Sequence, residues 1–277
     1  MSTAVSIYHG RFGRATLYRL NRPMTTHAHR EGHLTFLVQG TPSLVTVSER
    51  PYDLSPEAAV AVNPWEPHSF TPGDQTQGSL FLVLYIKPIW FLDFGRSAQA
   101  ALRFGRNPVE MTSQIRRSVA KVTSLLLEDD PTVSFDGHLY ELTQECFDQT
   151  WQWMPQASPL EHHGPCFSDF RVRKSVKLMA QKLGAEIALD EIASDAGLSR
   201  PHFYRLFKTQ TGLTPNLMLN TLRMERAIEA LTGTDECLAD IGFSLGFSSQ
   251  SSFSRFFASN VGMAPSDYRR VAHVAGG

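Results

Sequence analysis

The chain has 277 residues, of which 42% are hydrophobic and 19% charged, with a formal net charge of −1. That length holds two ordinary domains with separate cores, and the composition excludes a disordered chain. A near-neutral balance demands no polyanionic partner, though a local basic face could still meet one.

The first residues, MSTAVSIYHGRFGR, carry no apolar run of the signal-peptide kind. The most hydrophobic stretch, LFLVLYIKPIWFL from Leu80, is interrupted by Lys87 and Pro88. A cytoplasmic protein without a membrane span is expected. Up to about residue 92, short β-rich runs (FGRATLYRL, LTFLVQG, SLVTVSE, AAVAVN and SLFLVLYI) alternate with turn residues such as Pro72-Gly73-Asp74, the cadence of an antiparallel sandwich or barrel. Within this part, HAHREGH puts His27, His29 and His33 inside seven positions. Alternate residues of a strand share a face, so these imidazoles can point one way; that spacing permits a metal site or a pocket lining and proves neither.

Helical spacing replaces alternation at residues 109–128 and again at about 137–153. The first helix carries a stripe of Met111, Ile115, Val119, Val122, Leu125 and Leu126, which predicts packing either on the barrel or on a second subunit. The stretch MPQASPLEHHGP has no period and reads as a linker. It divides the chain into a domain over 1–153, a linker over 154–167 and a domain over 168–277. Cys146, Cys166 and Cys237 form no CxxC pattern, which argues against a disulfide framework or a cysteine-zinc site.

From residue 168 strand signals vanish and the net charge turns from −3 to +2. One pattern occurs twice: LDEIASDAGLSRPHFYRLFKTQTGLTP from Leu189 and LADIGFSLGFSSQSSFSRFFASNVGMAP from Leu238. Each copy reads as a short helix, a Gly-containing turn with a Ser N-cap, and a second helix stopped by Gly and followed by Pro. Phe203 with Phe207, and Phe253 with Phe257, sit at i and i+4 and hold each second helix to its domain. What faces outward is polar: Arg200, His202, Tyr204, Arg205 and Lys208 in the first copy, and Gln250, Ser251, Ser254 and Arg255 in the second. Arg and Gln can make bidentate contacts with guanine and adenine edges, and a helix fits the major groove. A single exposed Arg is ordinarily a solvated one; the doubling in register makes these two helices candidates for DNA reading.

On Ala193, Gly197, Ser199, Phe203, Arg205 and Phe207 in the first copy, and Asp240-Ile241-Gly242, Gly246-Phe247, Phe253 to Phe257, Gly262, Pro265 and Tyr268-Arg269-Arg270 in the second, the region from about 168 to 270 resembles the DNA-binding domain of AraC-family transcription regulators. Pro201, near the start of the first reading helix, departs from the pattern and offers no base contact. The resemblance implies a linking helix over 216–231, a double-stranded DNA operator, a small-molecule effector, RNA polymerase as partner, and a homodimer. It also interprets the first half: His27-x-His29-x3-His33-x6-Gly40 and the later Pro64-Trp65-Glu66-Pro67-His68 look like the two motifs of the cupin barrel.

The expected fold is therefore a multi-domain α+β protein, a cupin-like antiparallel β-barrel with following helices and an all-α domain with two helix-turn-helix motifs. His27, His29, His33 and His68 are the expected effector-binding residues. In metal-binding cupins the matching ligands are two His, a Glu and a later His, and His33 stands where that Glu would be, so the reading preferred here is an organic effector and no cofactor, with metal at the same four residues as the alternative. No catalytic residue is expected. The rival functions are a cupin-type metal-dependent enzyme and a constitutive activator whose barrel only dimerises.

Overall fold

Runs such as SLFLVLYI and AAVAV place apolar residues on both faces of a strand, and such a strand needs cover on both sides. The protein's computed structural model, which describes residues 2–94, 103–128, 135–152, 169–184 and 189–274, supplies it. In chain order come β1 (Thr3–Gly10), β2 (Gly13–Leu20), β3 (Met24–His27), β4 (Gly32–Gln39), β5 (Ser43–Val47), β6 (Arg50–Leu54), β7 (Ala58–Val62), β8 (His68–Thr71) and β9 (Ser79–Ile86). Then follow α1 (Pro88–Phe94), β10 (Pro108–Glu110), α2 (Ser113–Leu127) and α3 (Phe135–Gln152).

β9 lies between β4 and β2 in a seven-stranded sheet of order β10-β7-β4-β9-β2-β1-β11, whose last strand is β11 (Ala272–Val274). The remaining strands form a second sheet, β3-β8-β5-β6. Alternation sorts the side chains of the large sheet into two cores. Leu34, Phe36, Leu82, Leu84 and Ile86 turn toward α2 and α3; Leu37, Phe81 and Val83 turn inward against Val45, Val47 and Phe70 of the small sheet. His33, one residue from Leu34, accordingly faces the barrel interior and is buried.

The apolar stripe of α2 is spent inside the chain. Thr112 caps this helix, its hydroxyl accepting from the Ile115 N–H at 3.1 Å. Ile115, Val119, Val122, Leu125 and Leu126 are all buried in the core under the large sheet, so the stripe is not free to join two subunits. Val109, which the helical spacing put into this helix, lies in β10 instead. Leu125→Glu is therefore expected to destabilise the fold itself, by about 4 kcal/mol or more, because it buries a carboxylate where a leucine is 7% exposed. Urea denaturation reads this as a lowered midpoint; a variant of unchanged stability that had become monomeric would put α2 in a dimer interface after all.

The second half is helical: α4 (Phe170–Gln181), α5 (Leu189–Asp195), α6 (Arg200–Thr211), α7 (Pro215–Gly233), α8 (Leu238–Ser244), α9 (Gln250–Val261) and α10 (Pro265–Val271). On α4, Val172 and Met179 are buried, whereas Ala180 is exposed; Ser175 takes the inward position and donates its hydroxyl to the Arg171 carbonyl at 2.8 Å. α7 is divided along its length. Met218, Leu219 and Leu222 pack with the first helix-turn-helix unit, while Ala227 and Leu231 pack with the second.

The two halves are joined by more than the expected linker, which lies at 154–167, outside the described residues. β11 pairs in parallel with β1, Ile7 opposite Ala272 and Tyr8 opposite His273. The Thr221 hydroxyl donates to the Ala28 carbonyl at 2.9 Å, the Thr25 hydroxyl to the Ser259 carbonyl at 3.1 Å, and Arg30 meets Glu225 at 3.0 Å. Phe253, Phe257 and Tyr268 belong to the same buried cluster as Ile7, Tyr18 and Leu20 of the barrel. Among the described residues, no helix is long and apolar enough to cross a membrane.

Candidate functional site

Each repeated motif folds as two helices around a tight turn. Gly197 and Gly246 hold φ at 69° and 82°, a left-handed conformation in which a Cβ is costly, and this lets α6 and α9 turn away from α5 and α8. Ser249 caps α9, accepting from the Ser252 N–H at 3.1 Å; Ser199 stands at the same place before α6 but makes no side-chain cap. The phenylalanine pairs are fully buried, with ring centroids 5.5 Å apart in α6 and 6.0 Å in α9.

The opposite faces are open. Arg200, His202, Arg205 and Lys208 of α6 are exposed, and Tyr204 is half-buried. On α9, Gln250, Ser251 and Arg255 are exposed, and Ser254 is half-buried. Arg200 is already engaged, with Asp190 at 3.1 Å and the Tyr204 ring at 5.6 Å. Arg205, Lys208 and Arg255 make no ion pair among the described residues, so three guanidinium or ammonium groups on two in-register helices are available to phosphates and base edges.

The four histidines do converge. His27 ends β3 directly opposite His68, the first residue of β8. His29 lies past the strand end, where its carbonyl accepts from the Trp65 N–H at 2.8 Å; Trp65 itself is held at φ 64°, a strained value for a bulky residue. Ring centroids stand 4.2 Å apart for His27 and His68, 4.6 Å for His33 and His68, and 4.9 Å for His29 and His33. Burial comes first among the causes that hold all four pKa values below the ordinary imidazole range, with His29 brought down to about 4, so the rings are neutral near pH 7.

His27 and His29 also form part of the wall of a cavity of about 1020 Å³ between the barrel mouth and α7. Leu217, Met224 and Ile228 of α7, with Val261 and Trp65, give it apolar sides. Arg11, Arg14, Arg30 and Lys87 bring positive charge to its wall, and Glu31, Glu225 and Glu229 bring negative charge. Arg14 is 9% exposed; its guanidinium lies 3.8 Å over the Tyr85 ring and donates to the Tyr268 hydroxyl at 2.8 Å. Among the described residues its Nε–H has no hydrogen-bond partner and no carboxylate stands within ion-pair distance of it. Across the cavity, burial pushes the Glu225 carboxyl up to about 7 against the pull of Arg30. Sequence reasoning missed this chamber, because Arg14 and Tyr268 are 254 residues apart and no local pattern joins them. His33 and His68 lie behind it, in a small internal pocket with Tyr18, Phe70 and Val83.

Two family models match the chain, an AraC-like ligand binding domain over residues 16–142 and a helix-turn-helix domain over residues 192–271. The chain is 25% identical over 252 residues to a probable transcriptional regulator, LumQ, of Photobacterium leiognathi, covering 90% of this chain and 94% of that one. It is 33% identical over 103 residues to the transcriptional activator RhaS of Klebsiella pneumoniae, and that match spans 37% of either chain. Among solved structures it is similar in fold to apo and unsaturated-fatty-acid-bound forms of ToxT from Vibrio cholerae. The TM-scores are 0.59 and 0.57 and the identities 13% and 14%, with 98% of this chain covered in each and 96% and 95% of those chains.

Proposed function

Since the chain belongs to the AraC-type transcription regulators, with a ligand-binding domain followed by a helix-turn-helix DNA-binding domain, we propose that an organic anion in the chamber beneath α7 controls how its two reading helices meet an operator. Arg205, Arg255 and Gln250, with His202, Tyr204, Ser251 and Ser254 beside them, read base edges; Lys208 and Arg200 hold phosphates. The observation that carries the effector class is Arg14, a buried guanidinium with no counter-ion among the described residues, at the wall of a largely apolar cavity. A permanently charged group in that position favours a carboxylate or phosphate, and the apolar sides favour a hydrocarbon or aromatic body. The unsaturated fatty acid named for ToxT has this chemistry. His27 and His29 stand at the effector's wall, and His33 and His68 support them from behind.

The effector works by position. Arg14 and Tyr268 tie the barrel to α10, and Thr221 and Glu225 tie it to α7, so an anion that recruits Arg14 competes with the bond that holds the reader down. We further propose that the protein works in the cytoplasm, as a homodimer in contact with RNA polymerase, and we assign it no reaction. The test is operator affinity measured with and without a panel of carboxylates that includes a long-chain unsaturated fatty acid. At least one is expected to change affinity by ~5- to 150-fold, the usual size of an allosteric coupling. In Met224→Trp, whose indole occupies the chamber, that change should disappear while ligand-free DNA binding persists. Equal responses in the two proteins would remove the chamber from the mechanism.

A further inference from the structure

The chamber wall carries charges of both signs, and their pairing is uneven. Glu225 meets Arg30 at 3.0 Å and Glu229 meets Arg226 at 2.9 Å, so each of these two acids of α7 has a cation beside it. Arg11 and Lys87 are exposed and stand in solvent. Two wall groups are left over. Arg14 is 9% exposed and has no counter-ion among the described residues. Glu31, half-buried in the turn between β3 and β4, has no cationic partner among them either: the basic group within reach, His29 at 3.7 Å, is kept neutral near pH 7 by its burial.

These two stand close without touching. The Arg14 guanidinium lies 3.8 Å over the Tyr85 ring, that ring is 5.1 Å from the His29 ring, and His29 is 3.7 Å from the Glu31 carboxylate. The charge of Glu31 reaches the guanidinium, yet no ion pair joins them. A cation and a carboxylate held apart at one wall of a cavity are each short of a partner, and neither satisfies the other. A plain organic anion answers only Arg14. It also brings a second negative charge next to Glu31, where the low dielectric of a partly dry chamber makes like charges repel strongly. A molecule with a carboxylate and an ammonium on one carbon answers both groups at once.

We propose that the effector is an α-amino acid with an apolar side chain, its carboxylate held by Arg14, its ammonium by Glu31 and its side chain by Leu217, Met224 and Ile228 of α7. The inference rests on the reading of the chamber as the effector site, and narrows its ligand from an organic anion to a zwitterion. Each charged end makes a charge-assisted hydrogen bond, and the ligand as a whole brings no net charge into the chamber. Selectivity follows from the same two groups, because an analogue that lacks either end leaves Arg14 or Glu31 unpaired. Both ends also sit on the seam between the halves. Glu31 directly follows Arg30, whose pairing with Glu225 ties the barrel to α7, and Arg14 is the donor to Tyr268 of α10.

The test uses the full-length protein and two matched sets of probes. One is L-phenylalanine, 3-phenylpropanoate and 2-phenylethylamine; the other is L-2-aminodecanoate, decanoate and nonylamine. Within a set the body is the same, and only the ammonium or the carboxylate is missing. In titration calorimetry at about pH 7, the amino acid of at least one set is expected to bind ~10-fold or more tightly than its acid and its amine, the loss that goes with one charge-assisted hydrogen bond. Glu31→Gln removes the charge and keeps the backbone carbonyl that receives His29 at 2.8 Å. In that variant the amino acid and its acid should come to within ~3-fold of each other. If Glu31→Gln folds poorly, the wild-type comparison of amino acid with acid decides alone. Acids that bind as tightly as their amino acids, or a preference unchanged in Glu31→Gln, overturn the zwitterion and leave the organic-anion reading standing. Amines that bind as tightly as the amino acids overturn both, since Arg14 then holds nothing. If no probe of either set binds, the amino-acid effector is overturned, and the response to the fatty acid decides the chamber.

Discussion

Replacing Arg205 and Arg255 together by alanine is expected to weaken binding to the operator by roughly 2–6 kcal/mol, the sum of two base-reading contacts of ~1–3 kcal/mol each at well-separated positions. That is a loss of ~30-fold to ~10⁴-fold in affinity. The operator is the sequence that the wild-type protein selects from a random pool. Binding to unrelated DNA should change little, because both residues stand on exposed helix faces and, among the described residues, their side chains make no hydrogen bond or ion pair beyond the weak 3.5 Å approach of Arg255 to the Ser252 hydroxyl. Lys208→Ala provides the contrast: a lost phosphate contact weakens all sequences alike and reduces the salt slope by about 1. In a footprint, two reading helices on one side of the duplex protect two major-groove segments ~34 Å apart per protomer. Protection of a single groove, or an Arg205/Arg255 variant that still discriminates its operator, would mean that only one unit reads.

Phe257→Ala is expected to remove ~3–5 kcal/mol of stability, the range for a buried phenylalanine cut back to alanine. Phe257 is fully buried, its ring 6.0 Å from Phe253 and 5.4 Å from Tyr268. The loss spreads beyond α9, since Tyr268 is the residue whose hydroxyl receives Arg14 and shares an interaction with His9 at 3.1 Å. Phe207→Ala should cost a similar amount, yet among the described residues its cluster includes no barrel side chain besides Ala28 and Trp65. Urea denaturation measures both. Limited proteolysis separates them: the barrel and reader should become independently cleavable in Phe257→Ala at denaturant levels where Phe207→Ala keeps them docked. A Phe257→Ala cost under ~1 kcal/mol would show that the shared core is loosely packed there.

Legibility followed distance along the chain. The reader was readable in its turns and phenylalanine pairs because every one of those signals acts within about a dozen residues, and the second copy repeats it in register. The stripe of α2 was readable as a buried face, but periodicity says that a face is covered and not by what, so the same residues suggested a second subunit and are in fact covered by α3 and by β1, β2 and β4 of the large sheet. The histidine spacing showed which imidazoles could gather. It could not show which ring nitrogen each would offer, because that depends on the carbonyls of Thr25, Glu31 and Glu66, positions that no side-chain pattern encodes. The chamber and Arg14's place in its wall were illegible altogether, being made by residues that meet only once both halves are folded.

The parallel pairing of β1 with β11 has a consequence for the order of events during synthesis. At ~5–20 residues per second, the ribosome reaches Ala272 on the order of ten to fifty seconds after it has made Ile7. Throughout that interval the barrel can close around its own hairpins, but the outer edge of β1 stays open, a row of unpaired backbone groups of the kind that recruits strands from other chains. The newborn sensor thus stays prone to aggregate until the last residues of the DNA reader emerge, since the reader's own end is what pairs with that edge. Barrel maturation and reader docking are completed by the same late strand, so a ribosome that stalls in the final helices releases a sensor with a sticky border rather than a silent half-protein.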